Sequence, residues 1–89
     1  MSIVLTVDEI KLRVIEVVSR NALYNPDKVS VLSHIKNDHG IDSLKIVNVL
    51  FDLEDEFGIV VDQNALVFEN FTNVEKISLF VHEKLGKVG

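Results

Sequence analysis

The chain contains no cysteine. Disulfides and thiolate metal sites are therefore excluded, and a reducing compartment, the cytoplasm, is the simpler expectation. Long apolar runs are also missing: none approaches the roughly 18–20 residues of a membrane span. There is no internal repeat, low-complexity tract or Gly/Ser linker. The opening stretch MSIVLTVDEI is apolar but short and has no basic leader, so a signal peptide is not expected. Proline occurs once, in NPDKVS, which reads as a turn. With 89 residues the chain is expected to form a single domain, 1–89. A domain of this size buries about 60–65% of the surface its unfolded chain exposes, which leaves little room for a deep, lidded catalytic cleft.

One sign of charge is in excess. The net charge is −5. Residues 42–62 carry six acids (Asp42, Asp52, Glu54, Asp55, Glu56, Asp62) and one base (Lys45), whereas the other 68 residues carry eight of each. The whole imbalance lies in one segment. Such a surface repels nucleic acid and attracts a basic protein partner; a solvated acidic helix face gives the same pattern. Metal binding is weakly indicated. The acids of DLEDE lie on a helix, and the EF-hand spacing fails because Phe57 stands where glycine is required.

The remaining residues are patterned for helices. Thr6 and Glu9 form a capping box ahead of Val7, Ile10, Val14, Val17 and Val18 at helical spacing, and this helix should end near Arg20 or Asn21. Residues 21–41 show no clean period and are expected as a long loop pinned by Leu23, Val29, Leu32 and Ile35. A second helix should run from 43 to about 57, with Asp42 as N-cap and Gly58 as its stop. VDQNALVF suggests a short third helix capped by Asp62. A capping box from Thr72 to Glu75 opens the last helix, with Val74, Ile77, Val81 and Leu85 on one face and Gly86 at its end. GIVV at 58–61 is the only strand candidate and has no partner. The expected fold is all-α: a small bundle of three longer helices and one short one.

The second helix has two apolar arcs. At about 100° per residue, and with Ser43 at zero, Ile46, Val49, Leu50, Leu53 and Phe57 span about −120° to −20°. This is a core stripe, each side chain of which is worth roughly 1.5–3 kcal/mol on burial. Leu44, Val47 and Phe51 fall at about 40° to 100°, beside Ser43, with Glu54 and Asp55 further along that side. Two readings remain for this second arc: burial on both sides of a central helix, or a docking strip with apolar anchors and an acidic rim. Ser43 stands at the helix head, where backbone amides are unsatisfied and the dipole is positive. It suits either an ordinary capping region or a phosphodiester.

The stretch DHGIDSL, followed by LFDLEDEFGI, resembles the acyl carrier protein family, including the carrier domains of polyketide and peptide synthases. The matching residues are Gly40, Asp42, Ser43, Leu44, Glu54, Asp55, Glu56 and Phe57. The resemblance extends over nearly the whole chain. It implies a carrier, not an enzyme, with a phosphopantetheinyl transferase moving 4′-phosphopantetheine from coenzyme A onto Ser43. Acyl groups would ride on the arm's thiol as thioesters in fatty-acid, lipid or polyketide-type biosynthesis. The chemistry then belongs to the cofactor, which reconciles thiol chemistry with a chain that lacks cysteine. Asp42 accompanies the attachment site. Leu44, Val47 and Phe51 are proposed partner anchors, and Glu54 and Asp55 would steer acyl-loading and acyl-processing enzymes with basic docking surfaces. A monomer is expected.

Three places depart from the family pattern. Lys45 and Asn48 stand where fatty-acid carriers usually have acids, and His39 replaces the usual leucine. ALVFENF is more apolar and longer than usual; Leu66, Val67 and Phe68 there can cover cargo, touch a partner or add to the core. The departures point to a specialised carrier. A helical interaction module that kept the fold without the cofactor is the alternative. A serine hydrolase fits poorly: Ile41 interrupts Gly-Asp-Ser-Leu, the Gly-x-Ser-x-Gly elbow is absent, and His39 reads as a loop residue. His34 and His82 read as ordinary, partly exposed histidines.

Overall fold

The computed structural model describes residues 5–61 and 71–86. They form four helices: α1 (Val7–Asn21), α2 (Ile35–His39), α3 (Lys45–Phe57) and α4 (Val74–Gly86). Three are long and one is short, and no strand occurs among the described residues. The all-α bundle expected from the sequence is thus observed. Its short helix, however, is α2, inside the segment read as loop. The short helix expected at 61–68 lies almost wholly outside the described residues.

Helix α1 begins as its capping box dictates: the Glu9 N–H donates to Thr6 Oγ1 at 3.2 Å. Its β-branched residues are weak helix formers, so packing must hold it. Ile10, Val14, Val17 and Val18 are completely buried, and α1 packs along both α4 and α3. Helix α3 buries Ile46, Val49, Leu50 and Leu53, while Phe57 packs partly buried against the same core. Gly58, at φ +65°, closes α3 by donating its N–H to the Glu54 carbonyl at 2.9 Å. A left-handed residue of this kind favours glycine.

The segment between α1 and α3 is more ordered than its lack of period suggests. A 3-10 turn spans Pro26–Lys28. The His34 ring Nδ1 then accepts the Asn37 N–H at 3.1 Å, and the Asp38 carboxylate accepts the His34 N–H at 2.8 Å. This reciprocal cap opens α2. Gly40, at φ +70°, ends it, and the Ile41 N–H reaches back to the Ile35 carbonyl at 3.0 Å, as in a Schellman motif. Ile35 and Ile41 are fully buried. Of the expected pins, Ile35 is in the core and Val29 packs against it, but Leu23 and Leu32 are exposed. Backbone hydrogen bonds hold the segment instead: Ile35 N–H to the Thr72 carbonyl, and Glu75 N–H to the Val31 carbonyl.

The start of α4 also differs in detail. Asn73, not Thr72, supplies the cap, its Oδ1 accepting the Lys76 N–H at 2.8 Å. Thr72 contributes its carbonyl to α2. Phe71 is fully buried and meets Phe80 edge to face at 5.1 Å. Inside α4, the buried Ser78 hydroxyl donates to the Val74 carbonyl at 2.7 Å.

Candidate functional site

The candidate site is the turn that enters α3. Asp42 fixes it. One carboxylate oxygen accepts the N–H groups of Leu44 (3.1 Å) and Lys45 (3.0 Å), and the Asp42 carbonyl accepts the Ile46 N–H at 2.9 Å. Asp42 therefore does the capping expected of it, although regular helix starts at Lys45 rather than Ser43. Ser43 and Leu44 form the connecting turn. Asp42 thereby satisfies the Leu44 and Lys45 amides, so the helix head is not left with all its amides open. Ser43 is exposed, and its side chain has no partner among the described residues.

Among the described residues no histidine bonds this hydroxyl. His39 is only 2% exposed and belongs to α2, which corrects its reading as a loop residue. Its Nδ1 lies 3.0 Å from the Tyr24 carbonyl; a carbonyl only accepts, so Nδ1 carries the hydrogen. Its Nε2 is buried and has no hydrogen-bond partner among the described residues. A serine–histidine hydrolase needs a hydrogen bond between the two side chains, and Ser43 makes none. No group of three or more potential metal ligands occurs among the described residues.

The side chains flanking Ser43 divide by environment. Leu44 is 82% exposed and Phe51 56% exposed. Val47, placed with them by sequence, is partly buried against the core, so it supports the strip from below. The acids divide too. Glu54 is partly buried and accepts the Val61 N–H at 2.8 Å. Asp52 accepts from the Asn21 side-chain amide at 2.8 Å, and Glu56 faces Arg13 at 3.8 Å. Asp55 is exposed and has no partner among the described residues. Lys45 is turned inward, its ammonium donating to the Asn21 carbonyl at 3.0 Å, which suits the negative end of α1.

Sequence reasoning noted His39 as a departure without finding its structural role, and it missed Asn21 and Tyr24. The Leu23 and Tyr24 N–H groups both point to the His39 carbonyl, at 2.8 and 3.4 Å. Together with the imidazole bond to Tyr24, these contacts strap residues 23–24 to α2. The one available signal was the polar histidine at an apolar family position.

An exposed serine thus stands on a turn fixed by Asp42 at the head of α3. Comparison with known proteins identifies the family. The family described as "Phosphopantetheine attachment site" matches residues 12–81. The chain is 33% identical to an acyl carrier protein of Cyanidium caldarium over 91% of this chain and 92% of that one. It is 33% identical to an acyl carrier protein of Rickettsia bellii over 81% of this chain and 78% of the relative. It is also 39% identical to "Acyl carrier protein 2, mitochondrial" of Arabidopsis thaliana, over 63% of this chain and 44% of that protein. The chain belongs to the acyl carrier protein family: it is a carrier, not an enzyme, and its cofactor is covalently attached 4′-phosphopantetheine. The candidate site suits that group, because Ser43 is exposed and its hydroxyl has no partner among the described residues. When bound, the arm supplies a thiol to a chain that has none.

Proposed function

We propose that Ser43 is the attachment residue and that the chain carries acyl intermediates as thioesters on the arm. The observation that carries this reading is the exposed, unpartnered hydroxyl immediately after Asp42, on a turn whose shape the Asp42 carboxylate fixes. The serine needs no activation of its own, because a phosphopantetheinyl transferase delivers the group from coenzyme A.

Leu44 and Phe51 are the apolar anchors for that transferase and for acyl-loading and acyl-processing enzymes, with Val47 beneath them. Asp55 is the steering charge. Glu54 contributes mainly by holding Val61. The departures at His39, Lys45 and Asn48 support a specialised carrier in fatty-acid, lipid or polyketide-type biosynthesis, acting as a cytoplasmic monomer with no affinity for nucleic acid. No helix among the described residues is long and apolar enough to cross a membrane.

Intact-mass spectrometry after incubation with coenzyme A, magnesium and a broad-specificity transferase tests the attachment. Wild-type chain should gain one phosphopantetheine, and Ser43→Ala none. A wild-type chain that stays unmodified would instead favour the cofactor-free interaction module.

A further inference from the structure

We propose that Leu23 and Tyr24 form an apolar rest for the protein's own phosphopantetheine arm between encounters with partners. The proposal rests on the assignment of the arm to Ser43. Both side chains are large and well exposed, at 58% and 57%, yet their backbone is not free. Both N–H groups bond the His39 carbonyl, and the Tyr24 carbonyl accepts from the His39 ring. The platform is thus exposed and pre-organised, so little ordering cost attends a contact made on it.

Its distance from Ser43 is bounded through Gly40. A Cβ at Gly40 would lie 2.8 Å from Tyr24 Cε2 and 3.0 Å from Leu23 Cβ. Both side chains therefore border the Gly40 backbone, three residues before Ser43. Three residues span at most about 11 Å. The arm is long enough to cover that distance, and its geminal dimethyl carbon, close to the phosphate, is the portion that an aromatic face would hold. The Tyr24 hydroxyl has no partner among the described residues and can serve an amide of the arm. Lys45, two positions after Ser43, bonds the Asn21 carbonyl two positions before Leu23 and is opposite in sign to the phosphodiester.

The chain offers a direct probe, having one tyrosine and no tryptophan, so its tyrosine emission reports Tyr24 alone. Apo and fully modified protein, verified by mass, are compared by quenching with acrylamide, a neutral quencher that the arm's phosphate does not repel. Quenching should fall about twofold in the modified protein as the arm shields the ring, and nuclear Overhauser contacts should join the Tyr24 ring to the arm's methyl groups. Equal quenching in complete holo protein, without such contacts, overturns the platform and leaves the Ser43 assignment standing. Shielding of the apo protein by transferase added without coenzyme A, with none in purified holo protein, also overturns it, because the surface then belongs to a partner. Absence of any mass gain removes the Ser43 assignment, and the platform with it.

Discussion

The two flanks of α3 carry similar residues in different roles. On one, Ile46, Val49, Leu50 and Leu53 are buried against α1 and the rest of the core. On the other, Leu44 and Phe51 stand in solvent next to an unengaged serine. The same contrast divides the acids. Asp52, Glu54 and Glu56 are engaged within the molecule, whereas Asp55 has no partner among the described residues. Hydrophobicity and charge alone do not distinguish the buried flank from the exposed one; the difference lies in what each side chain meets.

That contrast can be broken by mutation. Leu53→Ala on the buried flank should cost about 2–5 kcal/mol of stability, read by urea denaturation. Glu54→Gln should cost about 1–2 kcal/mol by weakening the bond to Val61, and its effect on transferase turnover should depend little on salt. Asp42→Ala should cost about 1 kcal/mol, with faster hydrogen exchange at the Leu44 and Lys45 amides. On the exposed flank, Phe51→Ala should leave stability within about 0.5 kcal/mol yet raise the transferase KM about fivefold. Asp55→Lys should leave stability unchanged and slow modification about threefold at low salt, an effect lost at high salt. If Glu54→Gln and Asp55→Lys responded alike to salt, the division of the acids would fail.

The sequence made much of this legible. Thr6, Asp42 and Gly58 marked helix ends by their chemistry, and the 3.6-residue period picked out the buried flank of α3. Helix α2 was not legible, because five residues give no period. Its order comes from Thr72 and Asp38, from the reach of Ile41 back to Ile35, and from a left-handed turn at Gly40. The capping box at Thr72 misled by one residue, since Asn73 was an equally good cap and the Thr72 carbonyl was wanted by Ile35. Val47 shared an arc with Leu44 and Phe51 yet lies partly buried, because angular position on a helix does not record how far a neighbouring element reaches. Glu54 looked like a solvated acid because its partner, Val61, lies beyond the end of its helix.

The central claim is that one exposed hydroxyl, held at the head of α3, is the tether. Fragmentation mass spectrometry of the transferase-treated chain tests it most directly. The added phosphopantetheine should localise to Ser43 in every modified molecule, and Ser43→Ala should remain bare while folding normally. Modification at another residue, or full modification of Ser43→Ala, would contradict it.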